Sequence, residues 1–299
     1  MATPVTLQKR QDFSSFIAEV LSPHPAVQGI VGIGSIATGH ARPDSDIDAV
    51  VFLEPYDLYV VPAESFWYRP DGTFHSIFNV PAERQPDGLF LDMQRLALSE
   101  WSNPAFAWPE GRRAELADGW LAYDRTGALG RLLAERTAYP EDVRIERLDE
   151  AVTWLDQHLG GDGPDVRWQS LAPALAHDRL QAAYSYLVQA LFAYNRRWQP
   201  WRNREMSYLL RLPWLPASFA ERVLPALNAP SLDRAGYDAR VTILRELFAE
   251  LLTQLLATGV YTEDPVSESF IRRHPGPGWA WNMNAWNTHH TYGGGTLHG

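Results

Sequence analysis

The chain contains no cysteine, which excludes a disulfide framework and any thiolate metal site. Lysine is almost absent too: Lys9 stands alone beside 25 arginines, a bias that reads as genome composition. Positive charge is in deficit, with 26 basic against 36 acidic residues and a formal net charge of -10. Proteins that bind nucleic acid without sequence preference carry a basic patch and a high pI. A long nucleic-acid partner is therefore disfavoured, whereas an acidic surface favours a cationic small molecule. No apolar run approaches the roughly 18 residues that span a bilayer, so no membrane partner is expected. Residues Met1 to Gln11 lack the apolar stretch of a secretory leader. Together these absences lead to the expectation of a cytoplasmic protein.

What is present is a chain of 299 residues, 45% hydrophobic and 21% charged, long enough for two domains with sizeable cores. Its most informative stretch runs from Val31 to Leu53. A short apolar run leads into Gly34-Ser35, ten residues follow, and Asp46-Ile47-Asp48 opens a second apolar run. In a strand, residues i and i+2 share a face, so Asp46 and Asp48 are predicted to point one way and Ile47 and Ala49 into the core. Two like charges side by side repel unless a cation lies between them. A hard, oxygen-rich pair of this kind suits Mg²⁺, which takes one or two carboxylates and completes its shell with substrate phosphates and water. Upstream, a tight glycine turn followed by a helix start presents backbone N–H groups to an anion. A phosphate cradle beside a metal-binding pair is a site for a nucleoside triphosphate.

Two other readings of the glycines fail. Gly34 to Gly39 has the spacing of a P-loop, but His40 and Ala41 stand where Lys and Ser/Thr are required. Gly32, Gly34 and Gly39 lack the spacing of a dinucleotide fingerprint, and the segment before Asp46 is too short for a crossover helix.

The pattern of a hydrophobic residue, Gly34, Ser35, ten residues, then Asp46-hydrophobic-Asp48 resembles the signature of the DNA polymerase beta-like nucleotidyltransferase superfamily. The resemblance implies that Asp46 and Asp48 hold two Mg²⁺ ions, and that Gly34 and Ser35 bind the outer phosphates of ATP or another nucleoside triphosphate. It also implies a third acidic residue on a later strand. Asp92, 44 residues after Asp48 in the apolar run Leu89 to Met93, is the candidate as metal ligand or general base. The alternative for Asp92 is an ordinary strand residue paired with Arg95.

Along the chain, apolar spacing predicts a helix over 7–21, a strand over 27–33, a brief helix over 35–41 and a strand over 47–53. Strand runs follow at 66–68, 73–80 and 89–93, with an edge strand at 120–123 and a helix capped by Asp124 running to about 136. The second half changes character. Helical patterns cover 145–159, 172–195, 204–211, 217–227 and 240–257, with a loop expected over 160–165. The expected fold class is α+β, a mixed nucleotidyltransferase-type sheet with flanking helices followed by a C-terminal helical bundle. The expected division is a catalytic domain over 1–140, a bundle over 141–261 and an aromatic extension over 262–299. Trp279, Trp281 and Trp286 of that extension read as packing residues, and the adjacent His289 and His290 do not converge on one ion without further ligands.

This layout resembles that of the aminoglycoside adenylyltransferases. In such enzymes the helical domain returns a basic residue to the triphosphate, which implies Arg202 or Arg204 from the Arg/Trp-rich stretch after the longest helix. The function this implies is Mg²⁺-dependent transfer of a nucleoside monophosphate, AMP first, to a hydroxyl of a small, cationic acceptor. The alternatives are AMP transfer to a protein, as in the shorter toxin–antitoxin enzymes, and a nucleotide-binding regulatory module without turnover.

Overall fold

The computed structural model describes residues 2–170, 172–228 and 231–274, together with the backbone of two short strands at 291–292 and 295–296. Trp279, Trp281, Trp286, His289 and His290 lie outside the described residues. The chain divides into two compact units, residues 1–138 with 198–201, and residues 139–197 with 202–299.

The first unit is a six-stranded mixed sheet. Its strands are β1 (Val27–Gly32), β2 (Ile47–Leu53), β3 (Glu64–Tyr68), β4 (Thr73–His75), β5 (Gly88–Ala97) and β6 (Trp120–Asp124), in the spatial order β4-β3-β5-β2-β1-β6. β2 and β5 run parallel and the other neighbours antiparallel. The β3–β4 hairpin lies between β2 and β5 in sequence and lets β5 return alongside β2.

Alternation along β2 divides the core. Ile47, Ala49, Val51 and Leu53 pack with Phe13, Phe16 and Leu21 of the N-terminal helical segment. That segment is α1 (Pro4–Phe16), continued by one π-helical turn over Ile17–Leu21. Val50 and Phe52 face the other way, onto Trp101, Trp108, Leu116 and Leu129. These come from α3 (Leu98–Ser102), α4 (Glu110–Ala117), α5 (Ala128–Arg136) and the α3–α4 loop. Both faces of β2 are thus covered except at its first turn, where Asp48 takes the place of a core residue. The segment 198–201 packs on α4: the Trp198 indole donates to the Thr137 carbonyl at 2.8 Å, and Arg113 lies over the Trp198 ring.

The second unit is helical. It comprises α6 (Glu141–Leu159), α7 (Gly163–Ser170), α8 (Pro173–Tyr194), α9 (Arg202–Leu209), α10 (Phe219–Leu227), α11 (Arg234–Ala257) and α12 (Pro265–Arg273). Leu148, Val152 and Leu155 of α6 meet Leu180, Leu187 and Leu191 of α8 and Leu244, Leu247 and Leu251 of α11 in one core. The fold class is α+β, as the sequence predicted.

Local differences have local causes. The expected loop at 160–165 is cut short because α7 starts at Gly163. Asp124 is not the N-cap of α5. That place belongs to Gly127, while the Asp124 carboxylate accepts from the Gly130 amide at 2.8 Å inside the first turn. The brief helix after Ser35 is only α2 (Gly34–Thr38), because Gly39 takes a left-handed φ of 85° and ends it.

Candidate active site

The site is built where β1 ends and β2 begins. β1 stops at Gly32, Ile33 is extended, and Gly34 turns the chain with φ +61° into α2. Only glycine adopts that conformation without strain. A second constraint falls on the same residue. A Cβ placed on Gly34 would lie 2.3 Å from a carboxylate oxygen of Asp48. The turn and the aspartate are therefore in direct contact. The Ile33 amide, donating to the Asp48 carbonyl at 2.9 Å, fixes their backbones against each other. Ser35 is half-buried at the start of α2, and the Thr38 hydroxyl returns to the Gly34 carbonyl at 3.1 Å.

Asp46 lies exposed in the loop before β2, and Asp48 is half-buried on its first turn. In the parallel pairing of β2 with β5, Asp48 stands beside Asp92. The register on either side confirms the shared face: Ile47 pairs with Leu91 and Ala49 with Met93, all four buried in the core under α1. Asp92 is not the partner of Arg95. The Arg95 guanidinium donates to the carbonyls of Leu58 and Val61 at 3.0 and 3.1 Å instead.

A further carboxylate joins the row. Glu64, the first residue of β3, stands directly across from Asp92 on the other side of β5. Its alternation with Phe66 and Tyr68 gives its face in the sequence but not its neighbour on β5. Neighbouring strands are about 4.8 Å apart, so Glu64, Asp92 and Asp48 form a line of negative charge across three strands. Burial, then Glu64, then Asp46 hold the Asp92 carboxyl above the usual carboxylate range. Burial and the two acidic neighbours both disfavour the charged carboxylate there. Among the described residues, no three His, Asp or Glu side chains converge into a closed metal cage. The donor set, all carboxylate oxygen, nevertheless fits a hard divalent ion that relies on one or two protein ligands and on phosphates.

Positive charge reaches the site from α1. Lys9 donates to the Ser45 carbonyl at 2.6 Å. Its partial burial pulls the ammonium below its ordinary value, against the opposing pull of Asp46, Asp12 and Asp44. On β5, Gln94 follows Asp92 by two residues, on the same face, and accepts from Arg112 of α4. Arg112 also pairs with Glu115 at 2.8 Å. Arg202 and Arg204, the remaining basic candidates, lie on α9 of the second unit. Arg202 is paired with Glu205, and Arg204 is exposed. Sequence reasoning missed Glu64 and Lys9, because neither belongs to the short glycine–aspartate pattern.

Residues 14–73 match the model of the family described as the nucleotidyltransferase domain. The matched segment contains Gly34, Ser35, Asp46, Asp48 and Glu64. No curated protein matches the chain. One solved structure, described as a nucleotidyltransferase-like protein from Exiguobacterium sibiricum 255-15, aligns at 14% identity over 85% of this chain and 78% of that one. Its TM-score is 0.37, at which the likeness carries no weight for fold or function. Residues 14–73 of this chain are thus similar to a nucleotidyltransferase domain, in the segment that carries the glycine turn and the aspartate pair.

Proposed function

We propose that the protein is a nucleotidyltransferase that moves a nucleoside monophosphate, AMP in the first instance, from a nucleoside triphosphate to a hydroxyl of a small acceptor. The observation that carries this reading is the contact of the Asp48 carboxylate with the Gly34 turn, with Asp92 in register beside it. Asp46 and Asp48 would hold Mg²⁺, and Asp92 would join them. When bound, the ion offsets charge on the phosphates as the transfer proceeds.

The chain's own groups divide the remaining work. The Gly34 and Ser35 amides and the Ser35 hydroxyl hold the outer phosphates. Where Asp92 does not hold the ion, its alternative role is to accept the proton of the acceptor hydroxyl. The acceptor oxygen forms a bond to the α-phosphorus, the bond from that phosphorus to the bridging oxygen breaks, and pyrophosphate leaves.

A cationic acceptor is favoured by Glu64, which stands across from Asp92. The formal net charge of -10 supports the same class. The test is a screen of nucleoside triphosphates against aminoglycosides and other hydroxylated amines for Mg²⁺-dependent pyrophosphate release. Release that requires both an acceptor and Mg²⁺ is expected. Transfer to a protein band alone would favour a protein substrate, and nucleotide binding without any release would leave a regulatory module.

A further inference from the structure

Two adjacent residues of α1 grip the two limbs of the loop that carries the site. Arg10 donates to the carbonyls of Ile36 and Ala37, at 2.9 and 2.8 Å, and so holds the α2 limb that follows the Gly34–Ser35 turn. Its guanidinium also lies over the Trp120 ring, 5.0 Å from the centroid. Lys9 donates to the Ser45 carbonyl at 2.6 Å and so holds the limb that leads into Asp46. Between them, the Ala41 amide donates to the Thr6 hydroxyl at 3.0 Å. The helix that does this is fixed independently, because Phe13 and Phe16 are fully buried under the sheet.

Lys9 is also the one lysine of the chain, beside 25 arginines. What the Ser45 carbonyl requires is one cationic donor on a long, flexible stem. At Ser45 a single carbonyl must be reached in a crowd of carboxylates: Asp46, Asp12 and Asp44 all act on the Lys9 charge. The segment matching the nucleotidyltransferase domain begins at residue 14, so Lys9 lies outside it.

We propose that Lys9 is a positioning residue that, by holding the Ser45 carbonyl, sets the direction of Asp46 relative to the Gly34–Ser35 turn. The inference rests on the reading of Asp46 as a metal ligand, and it is tested by two readouts that do not need turnover. The first is hydrogen exchange of the segment 42–48 in the wild type, Lys9→Met and Lys9→Arg. The second is binding of Mn²⁺ alone, followed by loss of the free-ion paramagnetic signal.

Lys9→Met is expected to speed exchange across 42–48 and to weaken Mn²⁺ binding about tenfold, with the thermal midpoint held by the Phe13 and Phe16 anchors. Lys9→Arg, which keeps a donor in reach of the carbonyl, is expected to recover most of both. Wild-type exchange and Mn²⁺ binding in Lys9→Met would overturn the proposal. So would a fall in thermal midpoint that tracks both losses and that Lys9→Arg does not repair, since Lys9 would then be an ordinary anchor of α1. If the wild type itself bound no Mn²⁺, the metal reading would fail, and the exchange data alone would decide whether Lys9 sets the loop.

Discussion

At Gly34 a methyl group would meet two obstacles at once, a left-handed φ of +61° and the Asp48 carboxylate 2.3 Å away. Gly34→Ala is therefore expected to push Asp48 out of line or distort the turn. A left-handed alanine costs about 1–2 kcal/mol on backbone grounds alone. Nucleotidyl transfer should fall by more than that loss of stability explains, which comparison of the melting curve with the rate will show. Asp46→Ala and Asp48→Ala should each reduce pyrophosphate release by about a thousandfold, on the scale of losing a central electrostatic group. Removal of these carboxylates takes away repulsion, so their melting temperatures should hold or rise. At this scale the sequence was most legible. The Gly34 turn and the first residues of β2 set Gly34 against Asp48, whereas Asp46 lies in the loop before the strand, beyond the reach of its pitch. Glu64 was not legible, because its nearness to Asp92 depends on a hairpin register that no local pattern specifies.

Among the elements, β2 was read to its last residue, since a run of Ile, Val, Phe and Leu buried on both faces leaves no other choice. β5 was read short: Gln94 and Arg95 interrupt its apolar text, yet the ladder with β2 continues to Ala97. α3, α4 and α12 were not anticipated, because their apolar positions are few and much of their fixing is polar. α12 is held on α6 through the buried Asp149: the more exposed Arg272 forks onto it at 2.7 and 2.9 Å, and the buried Tyr261 hydroxyl donates to it at 2.8 Å. Asp149→Ala would leave the tyrosine hydroxyl without its acceptor and is expected to cost about 2–3 kcal/mol in urea unfolding. On the same helix, His158 clusters with Trp154 and Tyr186, the three ring centroids lying 5.9, 6.0 and 6.1 Å apart. Burial, then Arg167 and Arg179, bring its pKa down to about 4. The folded chain thus keeps His158 neutral where the unfolded chain, near 6.5, takes up a proton. Stability contributed at neutral pH should be lost as pH falls from about 6.5 to 4, amounting to about 3 kcal/mol. Urea midpoints measured across that range should flatten in His158→Phe, which has no proton to gain.

For the whole molecule, composition foretold the α+β class and the change from sheet to helices, because each half has its own hydrophobic period. It gave no sign that residues 198–201 pack with the first unit, since a Trp-rich connector carries no periodic signal of its destination. Among the described residues no helix is long and apolar enough to cross a membrane. The excess of acidic residues should make capture of a cationic acceptor salt-sensitive. Its KM is expected to rise several-fold between low and physiological ionic strength, where the screening length falls to about 8 Å, while kcat changes little. A neutral acceptor should show no such rise.

The decisive measurement follows label from a nucleoside triphosphate marked separately at its α- and γ-phosphorus, with Mg²⁺ and an acceptor that supports pyrophosphate release. The α-label is expected on the acceptor and the γ-label in pyrophosphate, with both products lost in Asp46→Ala and Asp48→Ala. Transfer of the γ-label to the acceptor, or undiminished α-label transfer in the two variants, would show that these aspartates do not assemble a nucleotidyl-transfer site against the Gly34 turn.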